Sequence, residues 1–173
     1  MQLQNYYYWF KDAIPHHVCD DIVRYAKSIQ DEMAVTGGLG NRKLNKKEVQ
    51  DLKKKRDSDI VWLNERWIYN EIHPFIHQAN KDANWNFQWD FSESCQFTKY
   101  KKGQYYDWHC DSWDKPYDSP NTPSHGKQRK LSVTLSLSDD KDYSGGELEF
   151  DMRNLDPDKK ANTHVLKEIR SKG

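Results

Sequence analysis

The spacing of apolar residues changes near residue 86, and this change constrains the fold more than any other feature of the chain. Before it, apolar residues recur every three or four positions, first in a stretch that begins after Pro15 and stops at Gly37. After it, apolar and polar residues alternate, first over residues 87–91 and again over residues 131–137. Helices followed by strands predict an α+β fold.

Within this pattern, a covering helix is predicted from Val18 to Met33, a short strand at 60–63 and a second helix at 67–80. Residues 96–100 and 105–109 predict a hairpin.

The basic run at 46–56 is typical of a solvated helix face or a mobile loop, and contact with an acidic substrate is the weaker interpretation. The length of 173 residues suffices for one domain with its own core.

Charge and cysteine content narrow the class of protein. The 27 basic and 27 acidic residues cancel, so neither nucleic acid nor an anionic membrane is expected as a partner. Three cysteines are too few and too scattered for a disulfide framework, which indicates a reducing compartment. Because the N-terminus has neither a signal peptide nor an apolar span, we expect a cytoplasmic protein. The oligomeric state is left open.

His109 and Asp111 are the candidate metal ligands. On a strand, residues two apart project from the same face with Cα atoms about 6–7 Å apart, so both side chains can reach one ion. An imidazole and a carboxylate are two thirds of the 2-His-1-carboxylate triad of non-haem iron sites. Taken alone, the triplet favours a surface strand that carries two solvated polar residues.

The segment 112–126 follows these residues and contains three prolines, which exclude a regular strand. It is placed to act as a lid, with Trp113 and Tyr117 available to stack on a substrate. An ordinary long connection is the alternative.

The surroundings of the triplet resemble the iron(II)/2-oxoglutarate dioxygenases, in particular the prolyl 4-hydroxylase-like branch and its bacterial and phage relatives. The family's pattern of tyrosine, glycine, an aromatic residue and H-x-D is matched here in order and spacing by Tyr100, Gly103, Tyr106, His109 and Asp111. Residues 129–137 resemble the family's R-x-x-S-x-T-L-x-L strand, and residues 143–150 resemble its Gly-Gly-Glu-Leu hairpin. The similarity covers roughly residues 14–173.

The resemblance implies a double-stranded β-helix, or jelly-roll, supported by N-terminal helices. We therefore expect a single domain, 1–173, with helical support and one short strand at 1–84 and the jelly-roll core at 85–173. It also implies iron(II) as cofactor, 2-oxoglutarate as co-substrate and, as an optional addition, ascorbate. The expected reaction hydroxylates a prolyl or other protein side chain and converts 2-oxoglutarate to succinate.

Within this resemblance, His109 and Asp111 match the metal ligands, and Tyr100 and Tyr106 are candidates for binding 2-oxoglutarate. Tyr100 is equally compatible with a tyrosine packed inside the barrel. The family's distal histidine and its basic anchor for 2-oxoglutarate have no match, because the sequence stops at Gly173. We therefore expect a core without its C-terminal strands and a fragment that is inactive by itself. His164 precedes the matching position and is interpreted as a surface or strand residue.

Two other functions remain open at this level. One is a non-catalytic binding or interaction module on the same barrel, in which His109 and Asp111 are relics. The other is a hydroxylase of small molecules with the same chemistry.

Overall fold

The computed structural model describes residues 6–29, 32–33, 45–151, 158–166 and 172–173, without the side chains of 32–33 and 164–166. The chain divides into two compact units. The first comprises Met1–Val23, Trp67–Asn86 and Val133–Gly173, and the second comprises Arg24–Arg66 and Phe87–Ser132. Helix α1, His16–Ser28, begins in the first unit and ends in the second.

The second unit is built on an antiparallel three-stranded sheet. Its strands are β1 (Glu32–Met33), β3 (Asp59–Leu63) and β4 (Cys95–Lys99), with β3 in the centre. Ile60, Val61 and Leu63 of β3 are buried, because a central strand of β-branched and aliphatic residues has neighbours on both sides. This strand forms the core of the unit.

A shorter ladder of the same unit leads to the candidate site. Strand β2 (Arg56–Asp57) follows directly on helix α2 (Lys46–Lys55) and pairs with β5 (Tyr105–Tyr106). Helix α2 starts with a capping box, in which Asn45 accepts from the Glu48 amide and Glu48 accepts from the Asn45 amide. The basic run is a helix with no buried residue as far as Lys55, as expected of a solvated face, whereas its last member, Arg56, lies in β2 and is buried.

The first unit holds helix α3 (Arg66–Asp82, apart from its first residue), a 3₁₀ turn at Asp140–Asp142 and the antiparallel pair β6 (Leu148–Asp151) and β7 (Thr163–Leu166). Its buried residues surround the start of α1 and both ends of α3. They are Ile14, Cys19, Ile22, Ile68 and Ala83. Among the described residues, no helix combines the length and the apolar character needed to cross a membrane.

The α+β class is confirmed, as are the strand at 60–63 and the second helix. The first helix is shorter than predicted, because α1 ends at Ser28 and Glu32–Met33 pairs with β3. The predicted hairpin is wrong: β4 pairs with β3 and β5 pairs with β2. Alternation identifies an extended segment but does not specify which strand supplies its hydrogen bonds.

The jelly-roll core is not observed in the described part of the chain. The sequence alternates over residues 87–91 and 131–137, yet neither segment forms a strand. An extended segment becomes a strand only when a neighbouring strand pairs with its backbone groups. The described strands instead form one sheet of three strands and two pairs.

Candidate functional site

The candidate ligands lie just beyond a strand rather than on one. The ladder between β2 and β5 is extended by the Asp107 amide, which donates to the Lys55 carbonyl at 2.7 Å, and then the backbone leaves regular structure. The prediction that His109 and Asp111 share one face of a regular strand is therefore wrong in its backbone. The two side chains nevertheless lie together.

His109 faces Asp111 with one ring nitrogen and the backbone with the other. Its Nε2 lies 3.2 Å from Asp111 Oδ1, and its Nδ1 lies 2.7 Å from the Asp107 carbonyl oxygen. Because a carbonyl only accepts, Nδ1 must carry a hydrogen, and in the neutral ring Nε2 then presents its lone pair to the carboxylate. A lone pair and a carboxylate repel each other unless a proton or a cation lies between them.

Asp111 is oriented by contacts on three of its oxygens. Oδ1 faces His109, whereas Oδ2 accepts a 2.5 Å hydrogen bond from Ser132 Oγ. Its carbonyl oxygen accepts from Arg129 Nη1 at 2.7 Å. Arg129 is itself paired with Glu93 through two contacts, one of them from Nε to Oε1 at 3.2 Å. The hydrogen bond to the Glu93 carboxylate raises the pKa of Arg129, and this effect exceeds the lowering of the pKa by burial.

Tyr106 contacts both the candidate ligand His109 and the buried Arg56. Its ring is stacked on the His109 imidazole, with the centroids 3.6 Å apart and the planes inclined by 14°. The guanidinium carbon of Arg56 lies over the same tyrosine ring, 4.4 Å from its centroid. The register of the ladder accounts for this contact, because Arg56 is the residue paired with Tyr106.

Tyr100 lies beside the same arginine. Its hydroxyl interacts with Ser58 and Arg56, and the residue is 48% exposed overall. Desolvation raises the pKa of Tyr100 above its usual value, against the opposing effect of the positive charge on Arg56. Tyr100 therefore offers a neutral hydroxyl next to a cation.

The loop after Asp111 is tied back on itself. The Tyr117 amide donates to the Lys127 carbonyl at 2.8 Å, and the Gly126 amide donates to the Tyr117 carbonyl at 2.9 Å. Gln128 donates to the Trp113 carbonyl at 2.6 Å, and Trp113 is 56% exposed. The loop therefore presents one tryptophan to solvent.

Tyr117 has a different environment. Its hydroxyl donates to Glu93 at 2.9 Å, and burial followed by this hydrogen bond raises its pKa. Tyr117 thus fastens the loop to the carboxylate that also holds Arg129.

Sequence reasoning missed Arg56, Ser132 and Glu93 as members of this site. Ser132 stands in the quoted R-x-x-S motif, so its contact with Asp111 had a signal in the sequence. Arg56 ends a run of lysines, and nothing in the sequence distinguishes the one buried member of that run. His164 lies in β7, and its side chain is outside the described part of the chain.

The donor set fits a divalent ion of the iron class at two positions. For metal–ligand bonds of about 2.1 Å, two ligands at right angles lie about 3 Å apart, close to the observed 3.2 Å between Nε2 and Oδ1. The hydrogen bond at Nδ1 is the usual partner that orients a metal-binding imidazole. Within the described residues, no group of three or more His, Cys, Asp or Glu side chains forms a site for a metal.

Residues 95–170 match the model of the 2OG-Fe(II) oxygenase superfamily. The matched segment contains His109, Asp111, Tyr100 and Tyr106 and is similar to oxygenases that use iron(II) and 2-oxoglutarate. Neither a curated protein nor a solved structure matches the chain.

Proposed function

We propose that the protein is an iron(II)- and 2-oxoglutarate-dependent dioxygenase that hydroxylates a prolyl or other protein side chain. The observation that carries the proposal is the His109–Asp111 pair, whose donor atoms are 3.2 Å apart and lie in the segment that matches the oxygenase family. The overall reaction takes a C–H bond of the substrate, O₂ and 2-oxoglutarate to the alcohol, succinate and CO₂.

His109 and Asp111 are the residues that would hold iron(II). Iron, with its open positions, would supply the site at which O₂ and 2-oxoglutarate are brought together. The Asp107 carbonyl keeps Nδ1 protonated, so that Nε2 is the donor nitrogen. The Ser132 hydroxyl occupies Oδ2 of Asp111, which leaves Oδ1 for the metal. Each of these contacts fixes a donor atom before any ion arrives.

Tyr106 and Tyr100 are proposed to position the co-substrate. The Tyr106 ring covers one face of His109 and excludes water from it. Tyr100 presents a hydroxyl whose raised pKa keeps it protonated, so it can donate to an anionic group.

Trp113 is proposed as the substrate contact and Tyr117 as the residue that holds the lid. An exposed indole provides a flat apolar surface on which a proline ring can pack, as in aromatic-lined sites for proline-rich peptides. Tyr117 has its hydroxyl on Glu93, so its role is to keep the loop closed. A small-molecule substrate would use the same indole.

The test supplies the protein with iron(II), 2-oxoglutarate, O₂ and ascorbate and follows succinate by NMR, with and without proline-containing peptides. We expect succinate from the wild type extended beyond Gly173 and none from its Asp111→Ala variant, because the carboxylate ligand is lost; the fragment 1–173 alone is expected to form none. Asp114→Ala removes an exposed loop carboxylate and serves as the control, which should retain the wild-type rate. No succinate from the extended wild type with any peptide would contradict the proposal and favour a binding module.

A further inference from the structure

Two histidines lie one turn apart on helix α3. His73 and His77 both belong to Arg66–Asp82, and residues four positions apart on an α-helix have Cβ atoms about 5–6 Å apart. His73 is half-buried and His77 is exposed. The two rings interact electrostatically, since burial and then the charge of the neighbouring His77 lower the pKa of His73. The helix therefore brings two imidazoles to one place.

The face of α3 that carries the histidines differs from the face that packs. Ile68 is buried, and Phe75 contacts Phe10 edge-on with the ring centroids 5.3 Å apart. At 3.6 residues per turn, Ile68 and Phe75 point roughly 140–160° away from His73. A ligand of the histidines therefore leaves the packing of the helix in place.

Tyr69 orients the first of the two rings. It precedes His73 by one turn, and the rings are in contact with their centroids 5.3 Å apart and their planes inclined by 54°. Contact with an aromatic neighbour restricts rotation of the imidazole. The His73 ring is therefore held in position before any ligand arrives.

Pro74 does not interrupt the turn between the two histidines. A proline inside a helix lacks the N–H that would bond to the carbonyl four residues earlier, which here belongs to Asn70. The missing hydrogen bond thus ends at the turn that precedes His77. A ligand that joins His73 to His77 would stabilise the helix directly after this weakened turn.

We infer that His73 and His77 form a binding site of their own for a divalent transition metal, which stabilises the C-terminal half of α3. Two histidines at positions i and i+4 of one helix are a known arrangement for binding zinc. Imidazole suits zinc(II), copper(II) and nickel(II), and copper(II) binds most tightly in the general order of these metals. Within the described residues, no third His, Cys, Asp or Glu completes a larger cluster. The inference does not depend on the oxygenase function.

The first experiment observes the two rings while zinc(II) is added to the protein. The imidazole ¹⁵N and carbon-bound proton signals of His73 and His77 are assigned from their loss in His73→Gln and His77→Gln. We expect both rings to shift along one saturation curve, because one ion binds both. A shift of one ring alone, or two curves with different midpoints, would overturn the inference.

The second experiment tests the spacing of the two rings by calorimetric titration of copper(II) and zinc(II). His77→Gln should weaken binding at His73 about a hundredfold, because the gain from two linked ligands is lost. His77→Gln combined with Gln78→His keeps the number of histidines but moves the second ring off the shared face, so it should bind as weakly as His77→Gln. His125→Gln removes an exposed histidine from the loop and should leave this affinity unchanged. Wild-type affinity in the combined variant would overturn the inference.

The third experiment measures the effect of the metal on the helix. Zinc(II) at about one hundred times its dissociation constant should slow amide hydrogen exchange at residues 78–82 about a hundredfold, because it binds only when both histidines are on the folded helix. In His77→Gln the same zinc concentration should leave these amides unchanged. Equal slowing in the wild type and in His77→Gln would show that zinc acts elsewhere and would overturn the inference.

Discussion

At the scale of the residue, Asp111 shows how a ligand can be oriented without a strand. Its two carboxylate oxygens and its carbonyl each have a different partner, namely His109, Ser132 and Arg129. His109 precedes the loop that follows Asp111, and Arg129 and Ser132 come after it. The position of the carboxylate is therefore fixed by side-chain contacts and not by the backbone pairing of a strand. The orientation of Asp111 therefore depends on single hydroxyl and guanidinium groups.

Ser132→Ala tests this dependence. The variant removes the donor to Oδ2, which frees the carboxylate to rotate and should weaken manganese(II) binding about tenfold, as expected for groups that orient metal ligands. Manganese(II) binding is measured by electron paramagnetic resonance. Ser119→Ala is the matched control, since the Ser119 carbonyl, and not its hydroxyl, accepts the hydrogen bonds from Thr122 in the loop. Equal affinity in both variants would show that Ser132 does not position Asp111.

At the scale of the element, the loop between Asp111 and Arg129 is a closed unit. Glu93 accepts hydrogen bonds from both Tyr117 and Arg129 and so connects the loop to the residues at its end. The ion pair of Lys127 with Asp90 adds a second contact between the loop and residues outside it. Backbone hydrogen bonds between Tyr117 and residues 126–127 complete the closure. We therefore expect the loop to open cooperatively, and opening requires the hydrogen bond from Tyr117 to Glu93 to break.

Tyr117→Phe should speed amide hydrogen exchange at Tyr117 and Gly126. Loss of an exposed hydrogen bond to a carboxylate costs about 1 kcal/mol, which corresponds to about fivefold faster exchange. Tyr105→Phe removes a comparable hydrogen bond, to the Lys54 carbonyl, and should leave the loop amides unchanged. Unchanged exchange in Tyr117→Phe would mean that the backbone alone holds the loop.

The elements also show what the sequence can specify. Helix α3 and strand β3 were predictable because their patterns are long and regular. The pairing of β5 with β2 was not, because a two-residue ladder between distant segments leaves no local signal. The proximity of His109 and Asp111 was predictable because the two residues are only two positions apart. The contact between Arg56 and Tyr106 was not, because it depends on the pairing of β5 with β2.

At the scale of the whole molecule, titratable groups in both units make stability sensitive to acid. The hydrogen bond from Lys101 holds the pKa of Asp59 below its usual value, and Lys127 does the same for Asp90. In the first unit, burial and then the neighbouring His77 lower the pKa of His73. A lowered pKa in the folded state stabilises the fold above the unfolded-state pKa, and this stability is lost as the pH falls through the folded pKa.

The midpoint of urea unfolding should therefore fall in two steps as the pH decreases. The first begins near the ordinary histidine pKa of 6.5 and the second near the ordinary aspartate value of 3.8. His73→Gln should flatten the first step, measured between about pH 7 and pH 5, because the titrating ring is gone. His125→Gln, in the exposed loop, should preserve it. A first step that persists in His73→Gln would assign it to another group.

The stacking of Tyr106 on His109 makes the NMR chemical shifts of the histidine ring sensitive to the position of the tyrosine. An imidazole 3.6 Å from a parallel phenol ring lies in the shielding cone of that ring, so the carbon-bound protons of His109 resonate upfield. A slip of β5 against β2 by one residue would turn Tyr106 to the opposite face and abolish the shielding. The chemical shift of one histidine thus reads out the register of a ladder two residues long.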